Sequence, residues 1–407
     1  MSIFKFCLFL LVIAFSAVFA SPKAVLFNDT SAWYHWGCTG TSTALKEGIR
    51  ALDFELESIP IHVVYALKEV PPFEEFGNRE KFNCFCEKNP EIANSIVNAD
   101  GVVITGEGTI HDLRAAPRAL LYLAFASKQF LGKHVEIIHH SAYPKDEPQF
   151  SPSLSTNLKI LSESPPTSPE EAKKIYQTVY SQLDFIAIRE PISLEKMKNI
   201  GIASTLSFDC LPLYIRDHYQ TPKQIQDKNV VLAGSIAHTK AGVEQLGLYL
   251  EELSKSGFKT KVLIGAAAFP ARDDKAFVEL LKNHCKAPWE LINASSMEEW
   301  LETINHATLL VSGRFHHSIA AFCLNTPFIA LNSNTPKIHA FCSLVEQPSP
   351  LLYSDPALVE KLLVRTNSIL NSPPPDNKAK IDFLSHLAEK NFEGLKAFAK
   401  NKKSDRS

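Results

Sequence analysis

The chain has 407 residues, of which 45% are hydrophobic and 21% are charged. This length is sufficient for two domains with substantial cores, and the composition is typical of globular rather than disordered proteins. The 42 basic residues nearly balance the 44 acidic residues, so the net charge of −2 excludes the general electrostatic attraction that non-specific nucleic-acid binding requires.

The first segment, residues 1–20, contains Lys5, an apolar run of about fifteen residues and a small residue, Ala20, at its end. This pattern is typical of a signal peptide. The run is short for a membrane-spanning helix, and a core strand is predicted a few residues later. We therefore predict cleavage and export to the periplasm, the lumen of the secretory pathway or the medium; a retained N-terminal membrane anchor is the alternative.

Residues 21–220 alternate short β-rich runs with helical stretches, which indicates a parallel sheet covered by helices on both faces. The predicted strands are Ala24–Phe27, Ile61–Tyr65, Gly101–Thr105, Val135–His139 and Phe185–Ile188. The predicted helices include Thr43–Leu56, Leu113–Lys128 and Glu170–Leu183. A segment rich in serine and proline, Ser151–Pro169, is predicted to be a surface loop.

A polar segment with several prolines, Leu211–Lys228, is predicted to link this region to a second alternating series at residues 229–345. The strands predicted there are Asn229–Ala233, Lys261–Gly265, Glu290–Ile292, Leu309–Ser312 and Phe328–Leu331. Residues 346–407 form a helical tail in which Lys378–Lys400 is predicted to be one long amphipathic helix. The sequence therefore predicts an α/β protein with two Rossmann-like lobes that face each other across a cleft.

Two glycine-containing segments follow predicted strands of the first lobe, where open α/β sheets bind ligands. Residues 28–43 contain Gly37, Gly40 and several hydroxyl residues, and Asp29 is predicted to orient this loop; a capped irregular loop without ligand is an equally good interpretation. In the second segment, Gly106 and Gly108 allow a ligand to approach the backbone closely, and His111 is predicted to reach the cleft.

Charged residues follow three further predicted strands. Arg189 is predicted to clamp an anion, although an ion pair with Glu190 or a neighbouring carboxylate explains it equally well. Asp209 either orients a cation or caps the following segment. In the second lobe, Arg314 and His316 stand between a predicted strand and the helix predicted at Ser318–Leu324, where cations and a helix N-terminus favour an anion.

The second histidine of that motif, His317, is predicted to pack or form a hydrogen bond, because only one of two adjacent histidines faces the ligand. No spacing of residues typical of a metal site is evident; Cys84 and Cys86 alone are too few for zinc. Seven cysteines remain once Cys7 is removed with the signal peptide, and one or two ordinary disulfides with buried thiols is the interpretation that we favour.

These segments, in this order, resemble the polysaccharide pyruvyl transferase family. The most specific part of the resemblance is Ser312-Gly313-Arg314-Phe315-His316 followed by Pro327 and Lys337. Membership implies a fold like that of the GT-B glycosyltransferases, phosphoenolpyruvate as donor and a pyruvate ketal on two hydroxyls of a sugar as product. By matching positions, Arg314 and His316 are expected to hold the donor from the second lobe, and Arg189 from the first, with Lys337 also contributing to substrate binding.

The implied chemistry requires protonation of the donor's methylene carbon, attack by one sugar hydroxyl, and displacement of phosphate by a second. His316 is the predicted acid or phosphate partner and His111 a weaker candidate base, with no metal or other cofactor. Two alternatives stay open: a GT-B-type glycosyltransferase that uses a nucleotide sugar, and an exported sugar-binding protein without enzymatic activity. The expected partners are a small-molecule donor and a glycan acceptor.

Overall fold

The structure, a computed structural model, describes residues 21–33, 35–111, 115–143, 168–222, 228–234, 236–267 and 272–404. The predicted signal peptide and most of the predicted loop Ser151–Pro169 lie outside the described residues, so both stay predictions. Among the described residues, no helix combines the length and the apolar character needed to cross a membrane.

The first lobe is built on a parallel sheet with strand order β2-β1-β3-β4-β5-β6. Its strands are β1 (Lys23–Asp29), β2 (Glu55–Pro60), β3 (Gly101–Glu107), β4 (His134–His140), β5 (Phe185–Ile188) and β6 (Thr205–Leu206). Its helices are α1 (Trp36–Arg50), α2 (Ile61–Tyr65), α3 (Arg79–Lys88), α4 (Pro90–Asn98), α5 (Ala115–Leu131), α6 (Pro169–Tyr180) and α7 (Pro191–Asn199).

The second lobe has a parallel sheet with strand order β11-β10-β7-β8-β9, after the connecting helix α8 (Leu211–His218). Its strands are β7 (Asn229–Ala233), β8 (Lys259–Ile264), β9 (Glu290–Asn293), β10 (Leu309–Ser312) and β11 (Phe328–Ala330). Its helices are α9 (Lys240–Lys255), α10 (Arg272–His284), α11 (Met297–Asn305), α12 (Phe315–Cys323) and α13 (Lys337–Leu344).

Three further helices form the tail: α14 (Leu358–Leu370), α15 (Lys378–Glu389) and α16 (Glu393–Ser404). Leu358 and Leu362 of α14 pack in the core of the second lobe. The last two helices return to the first lobe, where Phe398 stacks on His134 with ring centroids 4.1 Å apart. The predicted single helix Lys378–Lys400 is therefore wrong in one respect, because a 3-10 turn at Lys390–Phe392 divides it.

The predicted fold of two Rossmann-like lobes is confirmed. In each sheet the strand order reverses once, because successive strands are added on one side of the first strand and then on its other side. The reversal lies between β1 and β3 in the first lobe and between β7 and β10 in the second. Ligands of such sheets bind at these points, outside the carboxyl ends of the strands. One hydrophobic cluster extends across both lobes, for example from Leu45 through Phe208 to Phe341, and holds the two sets of strand ends together.

The largest error of the sequence prediction lies at the edge of the first sheet. Ile61–Tyr65, predicted as a strand, is helix α2, and the strand is the preceding segment β2. The predicted helix Thr43–Leu56 correspondingly lies at Trp36–Arg50. An edge strand alternates exposed and partly buried residues, as β2 does, so the apolar run after it gave a misleading signal. The three-residue spacing of the buried Ile61 and Val64 suits one face of a helix.

Two other boundaries also differ from the prediction. The predicted linker Leu211–Lys228 begins with helix α8, whose residues Leu211, Leu213 and Ile215 are buried between the lobes. Helix α12 begins at Phe315, three residues earlier than predicted. His316 and His317 therefore lie in the first turn of the helix rather than in the loop before it.

Candidate functional site

A buried carboxylate, Asp209, lies at the centre of the interface between the lobes. Its Oδ2 is 3.1 Å from Nη1 of Arg189, 3.0 Å from Nε2 of His139 and 3.1 Å from Nε2 of His316. Its Oδ1 accepts hydrogen bonds from the Thr41 hydroxyl and from the Leu211 N–H, both at 2.9 Å. The carboxylate thus contacts the first residue of α8 and also joins basic side chains of the two lobes, Arg189 and His316.

The surroundings of Asp209 keep it ionised. Burial by itself raises the pKa of this carboxyl, but the facing His316 and His139 outweigh burial and hold the pKa well below its usual range. For His139 the balance is the reverse: burial lowers its pKa despite the neighbouring Asp209. His139 was not among the predicted site residues, although its position at the carboxyl end of β4 could have indicated it.

Arg189 follows β5 and is almost completely buried. Its Nε donates to the Ser141 hydroxyl at 2.6 Å, Nη1 donates to Asp209, and the guanidinium carbon lies 5.1 Å from the centroid of the Phe315 ring. The alternative of an ion pair with a neighbouring carboxylate is what the structure shows, with Asp209 rather than Glu190 as the partner. Glu190 caps α7 through the Ser193 N–H and accepts from the Tyr143 hydroxyl. Arg189 therefore points into the interface between the lobes.

Lys337, the first residue of α13, supplies a second cation. Its Nζ lies 5.9 Å from the centroid of the same Phe315 ring. A methyl group on Gly108 would lie 3.5 Å from this Nζ and 3.7 Å from Nη2 of Arg189, so both cations face Gly108. Burial, followed by the charge of Arg189, lowers the pKa of Lys337 to about 8. No ion pair joins Lys337 to a carboxylate of the described residues, but the buried carboxylates of Glu107 and Asp209 lie close enough to oppose the lowering of its pKa.

The two histidines of the α12 motif have different environments. His316 reaches Asp209, whereas Nε2 of His317 accepts a hydrogen bond from the Trp300 indole at 3.0 Å. Burial, with the charges of Arg314 and His316, holds the pKa of His317 well below its usual value, so this ring is neutral. His317 thus forms the structural contact that was predicted for one of the two histidines, and a contact of His316 with a ligand stays a prediction.

Arg314 does not join this group. Its guanidinium forms a buried ion pair with Asp274 of α10, through Nε and Nη2 to the same carboxylate oxygen. The backbone N–H of Arg314 donates to the Ser312 hydroxyl at 3.0 Å. The sequence predicted that this guanidinium holds an anionic donor, but in the structure a carboxylate of the chain itself occupies that position.

The remaining predicted residues lie in the first lobe. Asp29 binds Lys46 and the Ser58 hydroxyl, and it accepts from the N–H of Ser31 at 2.8 Å. It thus orients the loop, as predicted, but the structure commits its oxygens to these three partners rather than to a substrate.

Two of the predicted residues of the β3 turn also have structural contacts. A methyl group on Gly106 would overlap the His140 ring, so this glycine is required for packing between strands rather than for approach of a ligand. The His111 backbone pairs with Tyr143 in an isolated bridge, and the residue is half-buried, with Nε2 of its imidazole buried. Of this turn, Gly108 is the residue that faces the cations.

Tertiary structure also assembles a group that the sequence analysis missed. His35 and Cys38, at the start of α1, meet His316 of the second lobe, and their ligand atoms lie within 4.8 Å of one another. The sequence shows no spacing typical of a metal site, because this group arises only from tertiary packing, and the expectation of no metal stays a prediction. Gly37 permits the approach, because a methyl group there would overlap the His316 side chain. The predicted disulfides are also absent, since all seven cysteines of the described residues are free thiols.

A family model described as Polysaccharide pyruvyl transferase matches residues 51–335, more than half of the chain. No curated protein is significantly similar to this chain in sequence. Among solved structures, the chain is similar to a UDP-GlcNAc 2-epimerase from Neisseria meningitidis bound to UDP-GlcNAc, with 11% identity, a TM-score of 0.52 and coverage of 92% of this chain and 98% of that chain.

Two other solved structures are similar over nearly their whole length. A UDP-GlcNAc 2-epimerase from Methanocaldococcus jannaschii has 14% identity, a TM-score of 0.52 and coverage of 87% of this chain and 94% of that chain. A sucrose-phosphate synthase from Thermosynechococcus elongatus has 12% identity, a TM-score of 0.51 and coverage of 92% and 94%. At these identities the similarity shows the fold alone, which is the GT-B fold.

Proposed function

The chain belongs to the polysaccharide pyruvyl transferase family and is a transferase, and from this premise we propose that it moves pyruvate from phosphoenolpyruvate onto two hydroxyls of a sugar as a ketal. The observation that carries the proposal is the pair of cations beside Gly108, one from each lobe. Guanidinium and ammonium groups that lack a full set of carboxylate partners favour a small ligand with several negative charges.

Phosphoenolpyruvate matches this arrangement because it carries a carboxylate and a phosphate on a three-carbon skeleton. Nη2 of Arg189 and Nζ of Lys337 would each bind one of these groups, and Gly108 leaves room for the ligand against the backbone. The Phe315 ring, which contacts both cations, keeps them close together. We do not assign Arg314 to the binding of phosphoenolpyruvate, because its guanidinium forms an ion pair with Asp274.

His316 is the residue that we assign as proton donor. Asp209 holds its Nε2, as a carboxylate orients the imidazole in other acid–base pairs. The ring then gives the proton on Nδ1 to the methylene carbon of the donor, which makes the neighbouring carbon electrophilic. One sugar hydroxyl adds to that carbon and loses its proton; a second hydroxyl displaces phosphate, which leaves with the remaining proton.

The experiment that tests this proposal is incubation of the full chain with phosphoenolpyruvate and a panel of galactosides and mannosides, with phosphate release and product mass as readouts. We expect a product heavier than the acceptor by one ketal-linked pyruvate. Replacement of the donor by nucleotide sugars tests the glycosyltransferase alternative in the same assay. Transfer from a nucleotide sugar, with no product from phosphoenolpyruvate, would show the proposal to be wrong.

Two variants make the assay specific to the site. His316→Ala is expected to lower kcat by roughly 10²–10⁴-fold, the usual contribution of a positioned acid. The matched control is His218→Ala, because His218 also lies within hydrogen-bond distance of a carboxylate, that of Glu47, but on the exposed surface. Equal losses in both variants would exclude a catalytic role for His316.

A further inference from the structure

The start of α1 and the start of α12 bring a thiol and two imidazoles together across the interface between the lobes. His35 and Cys38 come from the first lobe and His316 from the second, and all three side chains are buried. Sγ of Cys38 lies 3.6 Å from Nε2 of His35, and the rings of His35 and His316 have centroids 5.1 Å apart. Thiolate and imidazole are the ligands that zinc and chemically similar ions prefer.

The spacing of these atoms suits a tetrahedral ion. With zinc–sulfur and zinc–nitrogen bonds of about 2.3 Å and about 2.05 Å at a tetrahedral angle, the sulfur and nitrogen lie about 3.6 Å apart. The distance between Cys38 and His35 is 3.6 Å. Without a metal, the same contact is an ordinary hydrogen bond between a thiol and an imidazole, which is the simpler explanation that the experiment must exclude.

The third ligand is already oriented by a carboxylate. Asp209 lies 3.1 Å from Nε2 of His316, which leaves Nδ1 of that ring for an ion. This Nδ1 is on the side of Gly37, in the same helix as Cys38, because a methyl group on Gly37 would lie 2.9 Å from it. A carboxylate on the far nitrogen is the usual outer contact of a zinc-bound histidine, where it fixes the ring and raises its basicity.

We propose that His35, Cys38 and His316 form a zinc site that is complete only when the lobes are closed. Three protein ligands leave one coordination position open, the arrangement of exchangeable rather than purely structural zinc.

This site has a consequence for the transferase, and this consequence alone depends on the proposed function. Nδ1 of His316 is the atom assigned as proton donor, and a bound ion takes the same lone pair. The zinc-loaded chain is therefore inactive or slow in pyruvyl transfer, and the metal-free chain is the active form. Zinc binding itself does not depend on the identity of the substrate.

The binding experiment uses the full chain, stripped of metals under reducing conditions and then loaded with Zn²⁺ or Co²⁺. We expect about one ion per chain, and for cobalt the intense visible bands of a tetrahedral complex together with a near-ultraviolet thiolate-to-metal band. Cys38→Ser should lose the thiolate band, while Cys86→Ser, which changes a half-buried thiol in the same lobe, should keep it. A wild-type chain without that band contradicts the proposal, whatever the variants do.

The variants require a check of folding because all three residues are buried. Circular dichroism and the thermal midpoint of each metal-free variant should match those of the metal-free wild type. If Cys38→Ser folds and still shows the thiolate band, the site is elsewhere and the proposal is wrong. Phosphate release measured with and without Zn²⁺ then tests the inhibition separately: a zinc-loaded chain of unchanged activity overturns the role of His316 in transfer but not the zinc site.

Discussion

Arg189 and Arg314 follow strands of different lobes and precede helices, yet their guanidinium groups have different partners. Arg189 shares Asp209 with two histidines and keeps Nη2 directed at Gly108 and Lys337. Arg314 forms a buried ion pair with Asp274. The same local pattern thus produces a group with binding capacity in one lobe and a structural contact in the other. The pattern indicates where a charge lies, but the partner decides what it can bind.

The largest expected effect concerns Arg314, the arginine that forms the structural ion pair. Arg314→Ala removes one partner of the buried ion pair with Asp274, and the loss of such a partner typically costs about 3–5 kcal/mol of unfolding free energy. The double variant Arg314→Ala/Asp274→Ala should recover most of that loss, because neither charge then remains. Urea denaturation of the wild type, both single variants and the double variant measures the coupling.

The affinity of Arg314→Ala for phosphoenolpyruvate completes this test. Because the guanidinium is committed to Asp274, the dissociation constant should stay close to that of the wild type at a temperature where the variant is folded. A large loss of affinity with normal stability would reverse the comparison and return Arg314 to the donor site, as the family resemblance implied.

The second effect concerns Arg189, the arginine that we propose binds the donor. Arg189→Ala should lower kcat/KM for pyruvyl transfer by roughly 10²–10³-fold, the usual result of removing a charge-stabilising donor from a site. Arg189→Lys should recover only part of the activity, because an ammonium group cannot contact Ser141, Asp209 and the donor at once. Arg216→Ala, which removes an arginine ion-paired on the surface, serves as control and should behave as the wild type.

The third effect is a pH dependence that separates Lys337 from both arginines. Its pKa of about 8 in the free chain means that the ammonium loses its charge above that pH, and an anion binds the charged form. The dissociation constant for phosphoenolpyruvate should therefore rise by about tenfold per pH unit above pH 8. Calorimetric titration across this range measures it, and Lys337→Arg should show no such rise.

The same shift has the opposite sign for the stability of the free chain. Between pH 8 and the ordinary lysine pKa of 10.5, the unfolded chain binds more protons at Lys337 than the folded chain does. The free energy of unfolding should therefore increase with pH in that window through this group. The expected result is that stability rises with pH while affinity for phosphoenolpyruvate falls, and that Lys337→Arg shows neither change. If both quantities change in the same direction, and Lys337→Arg behaves like the wild type, the pKa of Lys337 is not lowered.

The smallest effect concerns the ring between the two binding cations. Phe315→Leu removes the aromatic face that contacts both Arg189 and Lys337 but keeps an apolar side chain. A cation–π contact contributes about 0.5–2 kcal/mol, so the affinity for phosphoenolpyruvate should fall by a few fold to about thirtyfold. Phe322→Leu, in the same helix and buried, is the matched control for packing; an equal loss there would assign the effect to the core.

The accuracy of the sequence prediction varies with the kind of signal. Three predicted strands, Phe185–Ile188, Asn229–Ala233 and Leu309–Ser312, match the structure at both ends because they are continuous apolar runs buried on both faces. The edge strand β2 was misplaced because its alternating residues are not distinctive. Local sequence identifies a strand well when burial makes every position apolar, and poorly when one side faces solvent.

The amino-acid sequence by itself determined the class of fold, the family, and the presence of Arg189, His316 and Lys337 at the ends of elements that meet in a cleft. Only the tertiary structure decided the partners: Asp274 for Arg314, Asp209 for Arg189, and His35 with Cys38 for His316. Periodicity and composition report on burial, which is a local property. Hydrogen bonds and ion pairs depend on atoms brought within a few ångströms by packing of the lobes, and residues far apart in the chain carry no local mark of that proximity.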